Sequence, residues 1–144
     1  MNLNPTIFYT DDDPDDQELF QYAVETLDGK QELHLLNSGQ ALLDMLHNPP
    51  PTPNVIFLDL NMPGKNCFEV LFEIRAFEKF KNLPVVNFST SNDDSVISKS
   101  FTMGASLYIT KPLEFKDLIA LLKKVLSFDW HIHKPSEANF VLSA

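Results

Sequence analysis

Five short runs of β-type residues, each followed by a stretch with helical spacing, constrain this chain more than any other feature of it. The runs lie at 6–10, 32–36, 55–58, 84–88 and 107–109. The third, Val55-Ile56-Phe57-Leu58, contains no polar residue, as a parallel strand covered on both faces requires. Leu19, Phe20, Ala23, Val24 and Leu27 form a first helical stripe. Ala41, Leu42, Met45 and Leu46 form a second, and Phe68, Leu71, Phe72 and Arg75 a third. A fourth helix is expected over 93–103, stopped by Gly104 as a left-handed cap. The fifth carries Leu118, Leu121, Leu122, Val125 and Leu126. Local signals agree. Asp13 suits a helix N-cap with Pro14 in the first turn. Pro84 stands at the start of a strand, where a missing N–H is tolerated. Pro49-Pro50-Pro51-Thr52-Pro53 reads as a stiff surface loop.

Strand-then-helix repeated five times implies an α/β fold, a parallel sheet with helices on both faces. Right-handed crossovers narrow the topology. The expected architecture is the flavodoxin-like (βα)5 doubly wound sheet of strand order 2-1-3-4-5. Its ligand crevice lies at the carboxyl ends of strands 1 and 3. A length of 144 residues suits one domain with a real core. That domain is assigned to residues 1–127, with 128–144 as a C-terminal extension. The extension is too short for a second domain, which needs on the order of 50 residues. It still carries Phe128, Trp130, Ile132, Phe140, Val141 and Leu142, too much apolar surface for a disordered tail. It is expected to pack on its own domain or on a partner protomer.

Composition excludes several functions. The formal charge of −9 argues against non-specific nucleic-acid binding, which needs a basic surface. It is compatible with a basic protein partner or with cations. No apolar run approaches the roughly 20 residues needed to span a bilayer, so no membrane association is expected. The first five residues lack a basic segment followed by an apolar one, so no signal peptide is expected. A single cysteine, Cys67, makes no internal disulfide and suits a reducing cytoplasm. It reads as packing rather than as a redox group.

Chemistry gathers where the strands end. In the expected topology Asp11, Asp12, Asp59, Ser89 and Lys111 all fall at carboxyl ends of strands 1, 3, 4 and 5. Magnesium prefers oxygen ligands in octahedral geometry and keeps several waters. Asp11, Asp12 and Asp59 can supply three carboxylates, which repel one another and are stabilised by a divalent cation. A carboxylate can also attack phosphorus to give an aspartyl-phosphate. Catalysis then consists of positioning and of charge neutralisation by the metal and a cation, here Lys111.

The stretches Thr10-Asp11-Asp12-Asp13-Pro14-Asp15-Asp16, Leu58-Asp59-Leu60-Asn61-Met62-Pro63-Gly64, Phe88-Ser89-Thr90 and 104–112 (Gly-Ala-Ser-Leu-Tyr-Ile-Thr-Lys-Pro) resemble those of response-regulator receiver domains, the phospho-accepting partners of sensor histidine kinases. The resemblance runs from about Thr6 to Leu126. It implies that Asp59 is phosphorylated, and that Asp11 and Asp12 hold Mg2+ with the backbone carbonyl of Asn61 as a further ligand. It implies that the Ser89 hydroxyl bonds the phosphoryl group and that Lys111 contacts a phosphoryl oxygen. Tyr108 matches the aromatic that rotates inward when the Ser/Thr moves, and Lys111-Pro112 matches the family's cis peptide bond. Met62-Pro63-Gly64 would shape the loop after Asp59. One departure is Asn87, polar inside strand 4 where the family has an aliphatic; facing the core, it needs hydrogen-bond partners.

The expectation is thus a stand-alone receiver domain, not an enzyme beyond its own phosphorylation and dephosphorylation. It would signal by protein contact through the face made by the fourth helix, fifth strand and fifth helix. Its partners would be a histidine kinase or phosphotransfer protein and a downstream protein target, with a homodimer as one option. Adaptor, relay intermediate and phosphate sink stay open. A phosphorylation-independent scaffold on the same fold is the alternative. An aspartyl-phosphate hydrolase of the haloacid-dehalogenase type fits poorly, because the position two residues after Asp59 is Asn61, which cannot transfer protons. His131 and His133 read as solvated, and Phe77 and Phe80 as core packing.

Overall fold

A computed structural model describes residues 4–62, 66–130 and 136–144. The strands are β1 (Thr6–Thr10), β2 (Glu32–Leu36), β3 (Val55–Asp59), β4 (Val85–Ser89) and β5 (Leu107–Thr110). All neighbours pair in parallel, in the order β2-β1-β3-β4-β5. The helices are α1 (Pro14–Glu25), α2 (Gly39–Leu46), α3 (Cys67–Ala76), α4 (Asp94–Thr102) and α5 (Phe115–Ser127). A single 3-10 turn, Glu78–Phe80, follows α3. This is the flavodoxin-like architecture expected from the alternation.

Two apolar layers sandwich the sheet. On one face α1 and α5 bury Phe20, Ala23, Val24, Leu118, Leu121, Leu122 and Val125 against Ile7, Tyr9, Phe57 and Phe88. On the other, α2 and α3 bury Leu42, Leu43, Leu46, Val70, Leu71 and Ile74 against Phe8, Ile56, Leu58 and Tyr108. β3 and β4 are buried at every position, so each is apolar on both faces apart from its site residues and Asn87. Helix ends follow local chemistry. The Asp13 carboxylate accepts from the Asp15 N–H, Ser38 caps α2 through the Ala41 N–H, and Gly104 follows α4 at φ +102°.

The structure corrects some of the stripes. On α3 the buried face is Cys67, Val70, Leu71 and Ile74, whereas Phe72 is 63% exposed. Arg75 is partly buried, but it does not simply fill space. Its guanidinium donates to the carbonyls of Gly104, Phe80 and Leu83 and to the Ser106 hydroxyl, tying α3 to the segments that flank β4 and β5. On α1, Leu19 is 48% exposed and the inward stripe is Phe20, Ala23 and Val24. Phe80 is buried, while Phe77 stays half exposed with its ring 4.4 Å from that of His47.

The end of the chain crosses the outer edge of β5. The Tyr108 N–H donates to Phe140 O and the Leu142 N–H donates to Tyr108 O, each at 3.0 Å. Tyr108 and Val141 form an isolated parallel bridge. Phe140 turns inward on the α3–α4 face and Leu142 packs on the α1–α5 face, while Val141 points out. In a regular strand residues i and i+2 share a face, so the tail, paired only by an isolated bridge, departs from strand geometry here and sends Phe140 and Leu142 to opposite sides of the sheet edge. His131 and His133 lie outside the described residues.

Candidate functional site

Parallel strands deliver their last residues to one edge, and four of the five site residues arrive that way. Asp59 ends β3 and Ser89 ends β4. Asp11 follows β1, anchored by its N–H donating to Leu36 O of β2. Lys111 follows β5, its N–H donating to Ser89 O at 2.7 Å. Asp12 continues the turn into α1 and is exposed, whereas Asp11 and Asp59 are buried. Asp11, Asp12 and Asp59 each offer a carboxylate oxygen within 4.8 Å of the others. An all-oxygen donor set of three carboxylates, one open to solvent, fits a hard divalent cation that retains water.

The Lys111 ammonium lies among three carboxylates: 2.8 Å from Asp16 Oδ2, 2.9 Å from Asp11 Oδ2 and 3.5 Å from Asp59 Oδ2. Burial alone would lower its pKa, but Asp16 and Asp11 reverse that and the net direction is upward. Burial pushes the Asp11 carboxyl up. Hydrogen bonds from the Tyr9 hydroxyl, the Asp13 N–H and Lys111 outweigh it, so Asp11 stays ionised to lower pH than usual. Asp59 goes the other way, to about 6. Burial dominates there, the Asn61 N–H and Lys111 pull it down, and nearby Asp11 adds to the rise. Two neighbouring acids held so far apart are what a cation-neutralised site contains before its cation arrives.

Asn61 donates from its backbone N–H to Asp59 Oδ1 at 3.1 Å and from Nδ2 to Thr90 Oγ1 and Ser89 Oγ. Ser89 is buried, and its oxygen also accepts from the Ser91 N–H. Tyr108 is fully buried, and its hydroxyl donates to Ser91 O at 2.6 Å. The aromatic thus points inward, joined to the same loop that carries Ser89. Cys67 is buried with its thiol pushed up to about 11 and donating to the Asp59 carbonyl, which suits packing rather than redox chemistry.

One expectation fails. The cis peptide bonds among the described residues are Pro49–Pro50 and Pro50–Pro51, so Lys111–Pro112 is trans. The preference for trans before proline is only about 0.5–1 kcal/mol, and Lys111 reaches the pocket from the trans form. Of the loop 62–64, Met62 is buried, and Pro63 and Gly64 lie outside the described residues.

Two residues of the pocket escape sequence reasoning. Asp16 lies on α1, and only the density of acids in 11–16 hinted at it. Tyr9 sits in an apolar strand pattern. Its ring stacks on Phe20 at 4.1 Å while its hydroxyl donates to Asp11 Oδ2.

Residues 7–123 match the family of response regulator receiver domains, and the chain belongs to it. It is 33% identical over 132 residues to the response regulator Rcp1 of Synechocystis sp., covering 88% of this chain and 90% of that protein. It is 29% identical to the probable methanogenesis regulatory protein FilR2 of Methanothrix harundinacea, covering 76% and 74%. The crystal structure of Mn2+-bound Rcp1 superposes with a TM-score of 0.76 at 31% identity, covering 92% of this chain and 99% of that one. The structure of the phosphorylated cyanobacterial phytochrome response regulator RcpA gives 0.80 at 29%, covering 92% and 97%. Phosphorylation and divalent-metal binding at the acidic pocket are typical of the family.

Proposed function

We propose that Asp59 accepts a phosphoryl group from the phosphohistidine of a sensor histidine kinase or phosphotransfer protein, with Mg2+ at Asp11, Asp12 and the Asn61 carbonyl. A carboxylate oxygen of Asp59 would form the new P–O bond as the P–N bond to the donor imidazole breaks, and the imidazole keeps the bonding electron pair. The single observation that carries this reading is the ammonium of Lys111 at 3.5 Å from the Asp59 carboxylate, inside a ring of three carboxylates. A bound divalent cation would neutralise negative charge on the phosphoryl oxygens. Lys111 would pair with one of those oxygens. Ser89, whose oxygen already accepts from Asn61 and Ser91, would spend its own proton on another.

The signal would leave through protein contact at the α4-β5-α5 face. Movement of Ser89 pulls on 89–91, and Tyr108 is bonded to that loop at Ser91 O. The phosphoryl group would bias two pre-existing states rather than create a new one. Residues 128–144 would act as an extension of a receiver domain spanning 1–127. Intact mass after incubation with a small phosphodonor and Mg2+ tests the assignment. Wild type should gain one phosphoryl group and Asp59→Asn none. Equal labelling of both variants would refute Asp59 as the acceptor. No labelling of wild type, despite measured Mg2+ binding, would favour the phosphorylation-independent scaffold.

A further inference from the structure

We propose that Asp16 is a positioning residue, a releasable anchor that holds the Lys111 ammonium on the α1 side of the pocket until a phosphoryl group competes for it; this rests on the reading of Asp59 as the acceptor. An ammonium has three donors. Two are committed, to Asp16 Oδ2 at 2.8 Å and Asp11 Oδ2 at 2.9 Å, while Asp59 Oδ2 stands beyond hydrogen-bond distance at 3.5 Å. The two anchors differ in kind. Asp11 is fully buried, and its Oδ2 also receives the Tyr9 hydroxyl, so it is fixed. The Asp16 side chain is 33% exposed, and water can take over its hydrogen bonds when Lys111 leaves.

Asp16 does not belong to the cluster that could hold a cation, which contains Asp11, Asp12 and Asp59 among the described residues. Its hydrogen-bond partner is Lys111. It reaches the pocket from the first turn of α1, where Pro14 and the Asp13 cap set the helix start. An indentation of about 50 Å³, lined by Tyr9, Asp16, Phe88, Lys111 and Pro112 among others, lies beside the pair. It leaves open space beside the Lys111 side chain on the α1 side of the pocket.

The test is a double-mutant cycle on the half-life of phosphorylated Asp59, loaded with a small phosphodonor and Mg2+. Asp16→Asn should lengthen the half-life by about two- to fivefold, the upper part of the range for loss of one partly exposed competing ion pair. Asp16→Glu should stay near wild type. In a Lys111→Ala background Asp16→Asn should have no effect. An unchanged or shortened half-life for Asp16→Asn, or the same change in both backgrounds, would overturn the proposal. A second readout needs no phosphorylation. In the metal-free protein the Lys111 ammonium NMR signal, identified by its loss in Lys111→Ala, should shift in Asp16→Asn; an unmoved signal would overturn the anchor. If wild type takes up no phosphoryl group, the acceptor reading fails while this second measurement still decides Asp16.

Discussion

Asn87 occupies the centre of β4, fully buried, and neither its Oδ1 nor its Nδ2 has a hydrogen-bond partner among the described residues. Its strand neighbours in register are Leu58 and Tyr108. A buried amide left unpaired costs about 1–3 kcal/mol. Asn87→Leu should therefore raise stability by about that amount, read as a higher denaturant midpoint with an unchanged slope. A lower midpoint would mean that the amide is bonded in the native state. Asp59 makes a second prediction at this scale. Its folded pKa of about 6 lies above its ordinary 3.8. The folded state thus binds the proton more tightly, and stability from this group is present below about 4 and lost as pH rises through 6. Metal-free Asp59→Asn should be more stable than wild type by about 2–3 kcal/mol at pH 8. The difference should shrink as pH falls through 6 and vanish below about 4. Mg2+ should narrow it by stabilising wild type, which keeps all three carboxylates, more than the variant. Thermal melts across pH check both arms, and a gap independent of pH would refute the buried-carboxylate account.

At the scale of elements, the residues that end apolar runs were legible and those inside helices were not. Asp11, Asp59, Ser89 and Lys111 each close a strand or stand just past one, and a parallel sheet has to bring such residues to one edge. Asp16 is five residues further on, and only the pitch and cap of α1 decide that it turns back to Lys111. Tyr9 looks like any aromatic in a strand, because its function lies in the last atom of its side chain. The stripe of α3 went astray for a related reason. Phe72 and Arg75 are large, but Cys67, Val70, Leu71 and Ile74 form the inward face, and Gly39 of α2 approaches Val70 closely enough that a Cβ there would meet Cγ2 at 2.5 Å. The tail adds an element that no strand pattern announced. Phe140 is buried against Phe101, ring centroids 5.3 Å apart, and near Tyr108. Phe140→Ala should cost about 3–5 kcal/mol in unfolding free energy. A loss under about 1 kcal/mol would mean that the tail detaches freely from the domain.

For the molecule as a whole, charge and topology concentrate the chemistry at one end. The formal charge of −9 is densest where 11–16 meet the strand ends, and Lys111 is the cation placed among those acids. No helix among the described residues is long and apolar enough to cross a membrane. The paired order β2-β1-β3-β4-β5 gives the sheet two margins. The tail occupies one, using both the N–H and the carbonyl of Tyr108. At the other, no described residue pairs with the outer side of β2. Unpaired strand margins are templates for joining chains, and a body with two of them can add copies without limit. With β5 covered, the remaining margin can only meet the same margin of a second copy, a two-fold arrangement that closes on itself. Joining of sheets through these margins would therefore stop at two copies.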